Sequence, residues 1–293
     1  MSKTSSVHHF EYSDEEKTYM KKSSSNHVSK QSIKTNFITI ERIAISCDNS
    51  IFVIIGFSVD EGKKEVTKYE VYDMDKKTVI AHHRLAKKPN SLCFLSEDSN
   101  TKEYQKSSTF AILLKDSMVV CSEEQEWKAV NVSLPVGPTT KYIAMVSSDE
   151  GCLFILSEDK QLLKIENEKE ITDVYDLEES VESIPTTITA SNSKICIGCL
   201  NGLMYVSSVE NPLDLYVQPM PPYLGLGAAE EVEFKEYPDT IVTVMNQDTV
   251  VSVYSDKTMV VFQNSKINHI VQNHAKAIYN IDTIPKECSE KGF

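Results

Sequence analysis

From Asn36 onward the chain is a succession of short runs rich in Val, Ile, Thr and Tyr, each bounded by Asn, Asp, Ser, Gly or Pro. Convincing helical windows are almost lacking, and the runs have strand length and strand composition. They fall into groups of four. "NFITIERIAISCD", "IFVIIGFSVD", "EVTKYEVYDMD" and "TVIAHHRL" form the first group, and "NSLCFLSED", "STFAILLKD", "SMVVCSE" and "WKAVNVSL" the second. The third group opens at "KYIAMVSSD", the fourth at "IPTTITASN" and the fifth at "DTIVTVMNQ". One further strand-like run, "AIYNIDTIP" (277–285), follows with only a polar end after it.

The middle turn of each group lies near Asp60, Asp116, Asp159, Asn201 and Asp256, at intervals of 56, 43, 42 and 55 residues. The two long intervals contain "SEDSNTKEYQKSS" (96–108), a polar insertion, and "PPYLGLGAAEEVEFKEYP" (221–238), a connection between groups. Four-stranded units that repeat about every 40 to 45 residues are the blades of a WD-type β-propeller. Two stacked β-sandwiches would also supply many strands, but would not favour a constant unit of four. The expected fold is therefore all-β: a WD-repeat-like β-propeller of five blade-like four-stranded units over 36–286. The expected blades are 36–84, 90–134, 141–178, 184–220 and 238–274, with the final strand at 277–285. A seven-bladed ring cannot close with five units, so the ring is either five-bladed or open and completed by another chain; open edge strands invite partner addition.

Residues 1–35 have a different character. "KKSSSNHVSKQSIK" is Ser- and Lys-rich with little apolar periodicity, which predicts a disordered tail with hydroxyls beside basic residues at Lys21-Lys22-Ser23-Ser24-Ser25. The tail holds six lysines against four carboxylates, while the whole chain of 293 residues carries a net charge of −13. The acidity therefore belongs to the folded part. Such a surface repels phosphate backbones and anionic lipid, which disfavours nucleic acid and membrane as partners and favours other proteins. Apolar runs are too short to span a bilayer, and "MSKTSSVHHFEYSDEEK" lacks a signal-peptide core, so a cytoplasmic or nuclear location is expected. Seven scattered cysteines, at 47, 93, 121, 152, 196, 199 and 288, suit reduced thiols. A polar tail is expected at 287–293.

The C-terminal third carries a more specific likeness. The Gly-initiated strand "GLMYV", the "MPPYLGLGAA" link, "YPDTIVTV", "VYSDKTMVVF", His274 and "AIYNIDTIP" follow one another within 201–285. This stretch resembles the closing part of the first propeller in the WD-repeat scaffold family of mitogen-activated protein kinase-binding protein 1 and WD repeat-containing protein 62. Upstream, "AISCDNSIFVIIGFSVDEGKKEVTKYEVYDMDKKTVIA" and "SLCFLSEDS" are similar to the middle blades of that propeller, more loosely. The resemblance spans about 38–285. It implies a protein-interaction scaffold near stress-kinase signalling or the mitotic spindle and centrosome, with kinase-pathway or spindle proteins as partners. Nothing in the chain matches the family's first two blades, its second propeller or its long C-terminal region, so functions tied to those parts do not carry over.

The Trp-Asp signature of WD repeats survives only as Tyr72-Asp73 in the first group and Phe262-Gln263 in the last. In WD repeats the Trp, the Asp and an upstream His share a buried polar network. Phe262 can fill the apolar space without offering an N–H, and His274 is then a turn residue.

Catalytic or metal chemistry finds little foothold. Cys196-x-x-Cys199 sits on a predicted strand, where positions i and i+3 face opposite sides, so buried packing is expected rather than a shared metal. His82-His83 point apart. "LGLGAA" has a Gly-x-Gly but no third glycine and no helix to follow, and a phosphate cradle requires that helix N-terminus. Lys87-Lys88 followed by Leu92 and Phe94 has the form of a docking peptide, but these apolar residues fit the first strand of a blade better. An enzyme site in a central channel calls for convergent His and carboxylates on inner strands, and "KYIAMVSS" and "IPTTITAS" carry none. The expected protein is a non-enzymatic, cofactor-free interaction platform. Its candidate partner surface is Tyr223, Leu224 and Leu226, an apolar cluster in an acidic chain. The alternative is a partial propeller serving as a structural subunit of a larger complex.

Overall fold

A computed structural model describes residues 10–13, 18–21, 35, 37–46, 48, 50–95, 109–135, 137, 140–148, 151–166, 170–191, 193–218, 240–246, 249–255, 258–264 and 266–271. Its architecture is all-β, with five four-stranded antiparallel sheets. Strands β1 (Phe10–Ser13) and β2 (Thr18–Lys21) form a separate hairpin within the segment that composition assigns to a disordered tail.

The first blade contains β3 (Thr39–Ile45), β4 (Ile51–Val59), β5 (Glu65–Asp73) and β6 (Thr78–Leu85), and the second β7 (Ser91–Phe94), β8 (Thr109–Leu113), β9 (Met118–Ser122) and β10 (Val130–Val132). The third contains β11 (Tyr142–Ser147), β12 (Leu153–Ser157), β13 (Gln161–Glu166) and β14 (Glu170–Asp176). The fourth contains β15 (Pro185–Ser191), β16 (Lys194–Cys199), β17 (Met204–Ser208) and β18 (Tyr216–Val217). The fifth contains β19 (Thr240–Asn246), β20 (Thr249–Tyr254), β21 (Met259–Gln263) and β22 (Lys266–Val271). In every blade the strands lie in sequence order, each paired with the next. This matches the expected units of four, and the second hairpin of each blade turns where Asp60, Asp116, Asp159 and Asn201 were placed; Asp256 lies outside the described residues. A single turn of 3-10 helix, Glu123–Gln125, interrupts the second blade within the acidic run "EEQE".

The second strands explain why "FAILL", "LFILS" and "ICIGC" read as unbroken apolar runs. Successive side chains alternate between faces, and here both faces are covered. Phe154 and Leu156 enter a cluster with Ile188, Ile195 and Tyr205 of the fourth blade. Leu153 and Ile155, on the other face, pack with Ala111, Leu113 and Met118 of the second. The first and second blades meet through Val53, Ile55, Tyr69 and Phe110, and the fourth and fifth through Cys196, Val206, Val250 and Phe262. The core is thus four apolar layers between consecutive sheets, with a fifth cluster of Phe37, Phe52, Ile54 and Tyr72 on the first sheet.

The first strands of successive blades adjoin in the order β3, β7, β11, β15, β19 and so form the inner line of the succession. No closed ring is formed among the described residues. In blades one, three, four and five the first strand carries a register shift next to its start, opposite the end of the second strand. In the first and fourth blades a glycine stands there. A Cβ on Gly56 would lie 2.2 Å from the Thr39 carbonyl oxygen, and one on Gly198 would lie 2.6 Å from Thr240 Cγ2 of the fifth blade. Both glycines permit a close backbone approach that a side chain would block.

The fourth strands form the outer edges. Those of blades one, three and five are also irregular, between Val71/Tyr72, Lys164/Ile165 and Val261/Phe262 in their pairing with the third strand. Such bulges bend an edge strand and discourage unplanned strand addition.

Candidate functional site

The two pairs singled out in the sequence, Tyr72-Asp73 and Phe262-Gln263, have separate local roles. Tyr72 is buried, lies 5.9 Å from the Phe52 ring centroid and donates its hydroxyl to Glu70 Oε2 at 2.6 Å. Asp73 accepts the Lys76 backbone N–H at 2.8 Å and the Lys76 ammonium at 2.8 Å, and closes the turn between β5 and β6. The hydrogen bond from that ammonium is the main reason the Asp73 carboxyl is held below its usual range. Asp73 therefore pins the turn of its own hairpin.

Phe262 is 1% exposed and fills the layer between blades four and five. Gln263 is exposed and accepts from Asn268 Nδ2 at 3.1 Å within the last hairpin. The aromatic plug is present and its neighbour's polar contact is local. His274 lies outside the described residues, as do the insertion 96–108, the final strand 277–285 and the tail 287–293.

The other sequence candidates resolve into structural roles. Cys196 and Cys199 face different layers, and burial pushes each thiol up to about 12. Lys87 pairs with Asp116, and Lys88 pairs with Glu41 at 3.0 Å and stands over the Phe57 ring. Leu92 and Phe94 pack against the first layer from β7, so the stretch that mimics a docking peptide is a blade strand. His82 is exposed on β6, while its neighbour His83 lies 5.4 Å from the Tyr69 ring with Nε2 3.2 Å from the Glu126 carbonyl oxygen. Among the described residues no three His, Cys, Asp or Glu side chains are placed to hold a metal. Among the same residues no helix is long and apolar enough to cross a membrane.

A surface emerges where the second-hairpin turns and the inter-blade links share one rim. Tyr223, Leu224 and Leu226 lie outside the described residues, but the link that carries them leaves after Gln218 and returns at Thr240. The described rim contributes apolar side chains that sequence reading did not single out. Ile38 (50% exposed) and Val59 (49%) mark the ends of β3 and β4, and Ile184 (43%) and Leu200 (39%) the equivalent ends of β15 and β16. The Leu200 N–H donates to the Ile184 carbonyl at 2.9 Å, so this pair is fixed by the strand ladder. The available signal was positional: in both blades a bulky aliphatic stands one step beyond a strand end, where a turn would ordinarily be polar.

The rim is rigid. Arg42, on the bulged start of β3, donates from Nε (3.0 Å) and Nη2 (2.8 Å) to the Asn90 carbonyl at the start of the second blade. Asn90 Nδ2 donates to the Tyr142 carbonyl of the third, and Thr186 Oγ1 to the Thr240 carbonyl of the fifth. Each bond ties one inner strand to the next. Across the outside of the rim run the pairs Lys87–Asp116, Lys141–Glu158 and Lys160–Glu178.

The fold defines the class: an all-β protein of five consecutive four-stranded antiparallel sheets consistent with propeller-type blades. No protein-family model matches the chain, and no curated protein does.

Proposed function

We propose that the chain is a non-enzymatic interaction scaffold built from propeller blades, binding other proteins through the rim of second-hairpin turns and inter-blade links. The observation that carries this reading is the exposure of Ile38, Val59, Ile184 and Leu200 on a rim whose inner strands are held by side-chain bonds. Large aliphatic side chains fixed by strand ladders and left in water are the usual raw material of an interface. Blade scaffolds generally bind through such loops, positioned by a rigid ring. The likeness in 201–285 supports partners from stress-kinase pathways or the spindle and centrosome, and the acidic charge favours basic or neutral proteins among them.

Affinity purification with mass spectrometry tests this. A chain carrying Val59→Asp and Leu200→Asp is expected to lose the proteins that the natural chain recovers, while Val174→Asp on the outer edge retains them. Equal recovery by all three would remove the rim from the proposal. A second reading, a structural subunit completed by another chain, is favoured by the unclosed succession of blades. It predicts co-elution with one stoichiometric partner on size exclusion.

A further inference from the structure

Between the third and fourth blades the rim continues into a ledge of uniform charge. From Glu170 to Glu182 the chain has six carboxylates and no basic residue. The link after β14 is tightly anchored from beneath. Leu177 and Val181 are fully buried in the layer between the two blades. The Leu177 N–H donates to the Lys160 carbonyl at 2.9 Å, the Val181 N–H to the Leu177 carbonyl at 2.8 Å, and the Glu182 N–H to the Tyr205 hydroxyl at 3.1 Å. With those positions locked, Asp176, Glu178, Glu179 and Glu182 are all turned to solvent. The ledge leads directly to Ile184 and Leu200, the exposed aliphatic pair. Lys160 pairs with Glu178 at 3.4 Å, and Lys164, opposite Asp173 in the strand ladder, pairs with Glu166 at 2.8 Å.

We infer that this ledge docks a peptide segment of a partner protein in which a cluster of Lys or Arg lies close in sequence to aliphatic residues. The inference rests on the rim reading above and names the partner chemistry of one part of it. Charge complementarity selects the occupant: the carboxylates draw in the basic cluster, and the aliphatic pair supplies the contact that water penalises. A second copy of this acidic chain, a nucleic acid or an anionic membrane is repelled by the same field. Preorganisation matters as well, because a link already pinned at Leu177, Val181 and Glu182 loses little freedom on binding.

Fluorescence anisotropy on the full chain tests it. The probe is a labelled synthetic peptide with four basic residues, a two-residue gap and a Leu-x-Ile end; its partners in the comparison are the same peptide with Ser at the apolar positions, and oligolysine. The basic-aliphatic peptide is expected to bind. Its affinity should fall about tenfold in Glu178→Lys/Glu182→Lys, fall comparably in Leu200→Ser, and weaken as salt rises. Circular dichroism and thermal melting of these surface variants should match the natural chain. Equal binding of oligolysine, undiminished binding by both variants, or no binding of the basic-aliphatic peptide would each overturn the inference. If the peptide fails while Val59→Asp/Leu200→Asp still loses its recovered proteins, the ledge chemistry is wrong and the rim reading stands. If that double variant keeps all its partners, the rim reading fails on its own test.

Discussion

Cys196 and Cys199 are three residues apart on one strand, yet their thiols belong to different layers of the protein. Cys196 packs with Met245, Val250 and Phe262 of the fifth blade, and Cys199 with Cys152 and Phe154 of the third. The spacing that suggests a metal or redox pair is here the alternation of a strand buried on both faces.

This geometry makes a chemical prediction. Burial raises Cys93, Cys196 and Cys199 to about 12 from an ordinary 9.0, so their thiolates are scarce at neutral pH. The native chain should react slowly with a thiol reagent at these positions and rapidly after denaturation. Fast native labelling of Cys196, mapped by mass spectrometry, would contradict the two-sided packing.

The same shifts set a pH dependence. A thiol raised in the folded state contributes its full stability below the unfolded value of 9.0 and loses it as pH climbs toward about 12. Denaturant midpoints of the natural chain should therefore fall across pH 9 to 12. Cys196→Ala should start less stable and show a shallower fall, whereas parallel curves would dissociate that thiol from the effect.

Phe262 tests how far one buried aromatic holds the layer between blades four and five. At 1% exposure within the layer between blades four and five, its removal in Phe262→Ala leaves a cavity. The expected cost is about 3 to 5 kcal/mol by chemical denaturation. Gln263→Ala, at an exposed position, should change little.

Gly56 tests the close approach at the bulge of the first blade. Its added Cβ would meet the Thr39 backbone oxygen at 2.2 Å, an atom that cannot swing aside. Gly56→Ala is expected to destabilise by about 1 to 3 kcal/mol. At Gly62, where the nearest atom is the Asp60 carboxylate at 3.3 Å, the same change should be mild. Similar losses at both sites would remove the role assigned to Gly56.

Asn90 tests the ties between inner strands. It accepts from Arg42 through its carbonyl and donates through its side chain to the Tyr142 carbonyl. Asn90→Ala should cost about 1 kcal/mol and, in hydrogen exchange, loosen β11 more than β20. Uniform loosening of all blades would instead point to a general loss of stability.

The grouping of strands in fours and the hairpin positions were legible because they are local, whereas the β1–β2 hairpin was not read from the sequence. Alternating Val, Ile and Tyr stop at Asp60, Asp116, Asp159 and Asn201, where a tight turn needs a side chain that can bond the backbone. Asp60 Oδ1 accepts the Lys64 N–H at 3.0 Å, and Asn201 Oδ1 the Leu203 N–H at 3.2 Å, so the same residues that end the strands also build the turns. Cys196 and Cys199 were legible for an equally local reason, since strand alternation requires no partner to be known.

The rim was less legible. Arg42, Asn90 and Thr186 gave no sign in sequence of tying blades together, because each bonds to a carbonyl about 50 residues away. Ile184 and Leu200 read as ordinary strand ends until the ladder brought them side by side. Glu178, Glu179 and Glu182 come to share one ledge only because Leu177 and Val181 pin the link between blades. Sequence alone determined that this chain builds blades, because hydrophobic period and turn chemistry act within a few residues. Only the tertiary structure decided which strand ends share a rim and which carboxylates share a ledge, since those neighbours are set by how one sheet packs against the next.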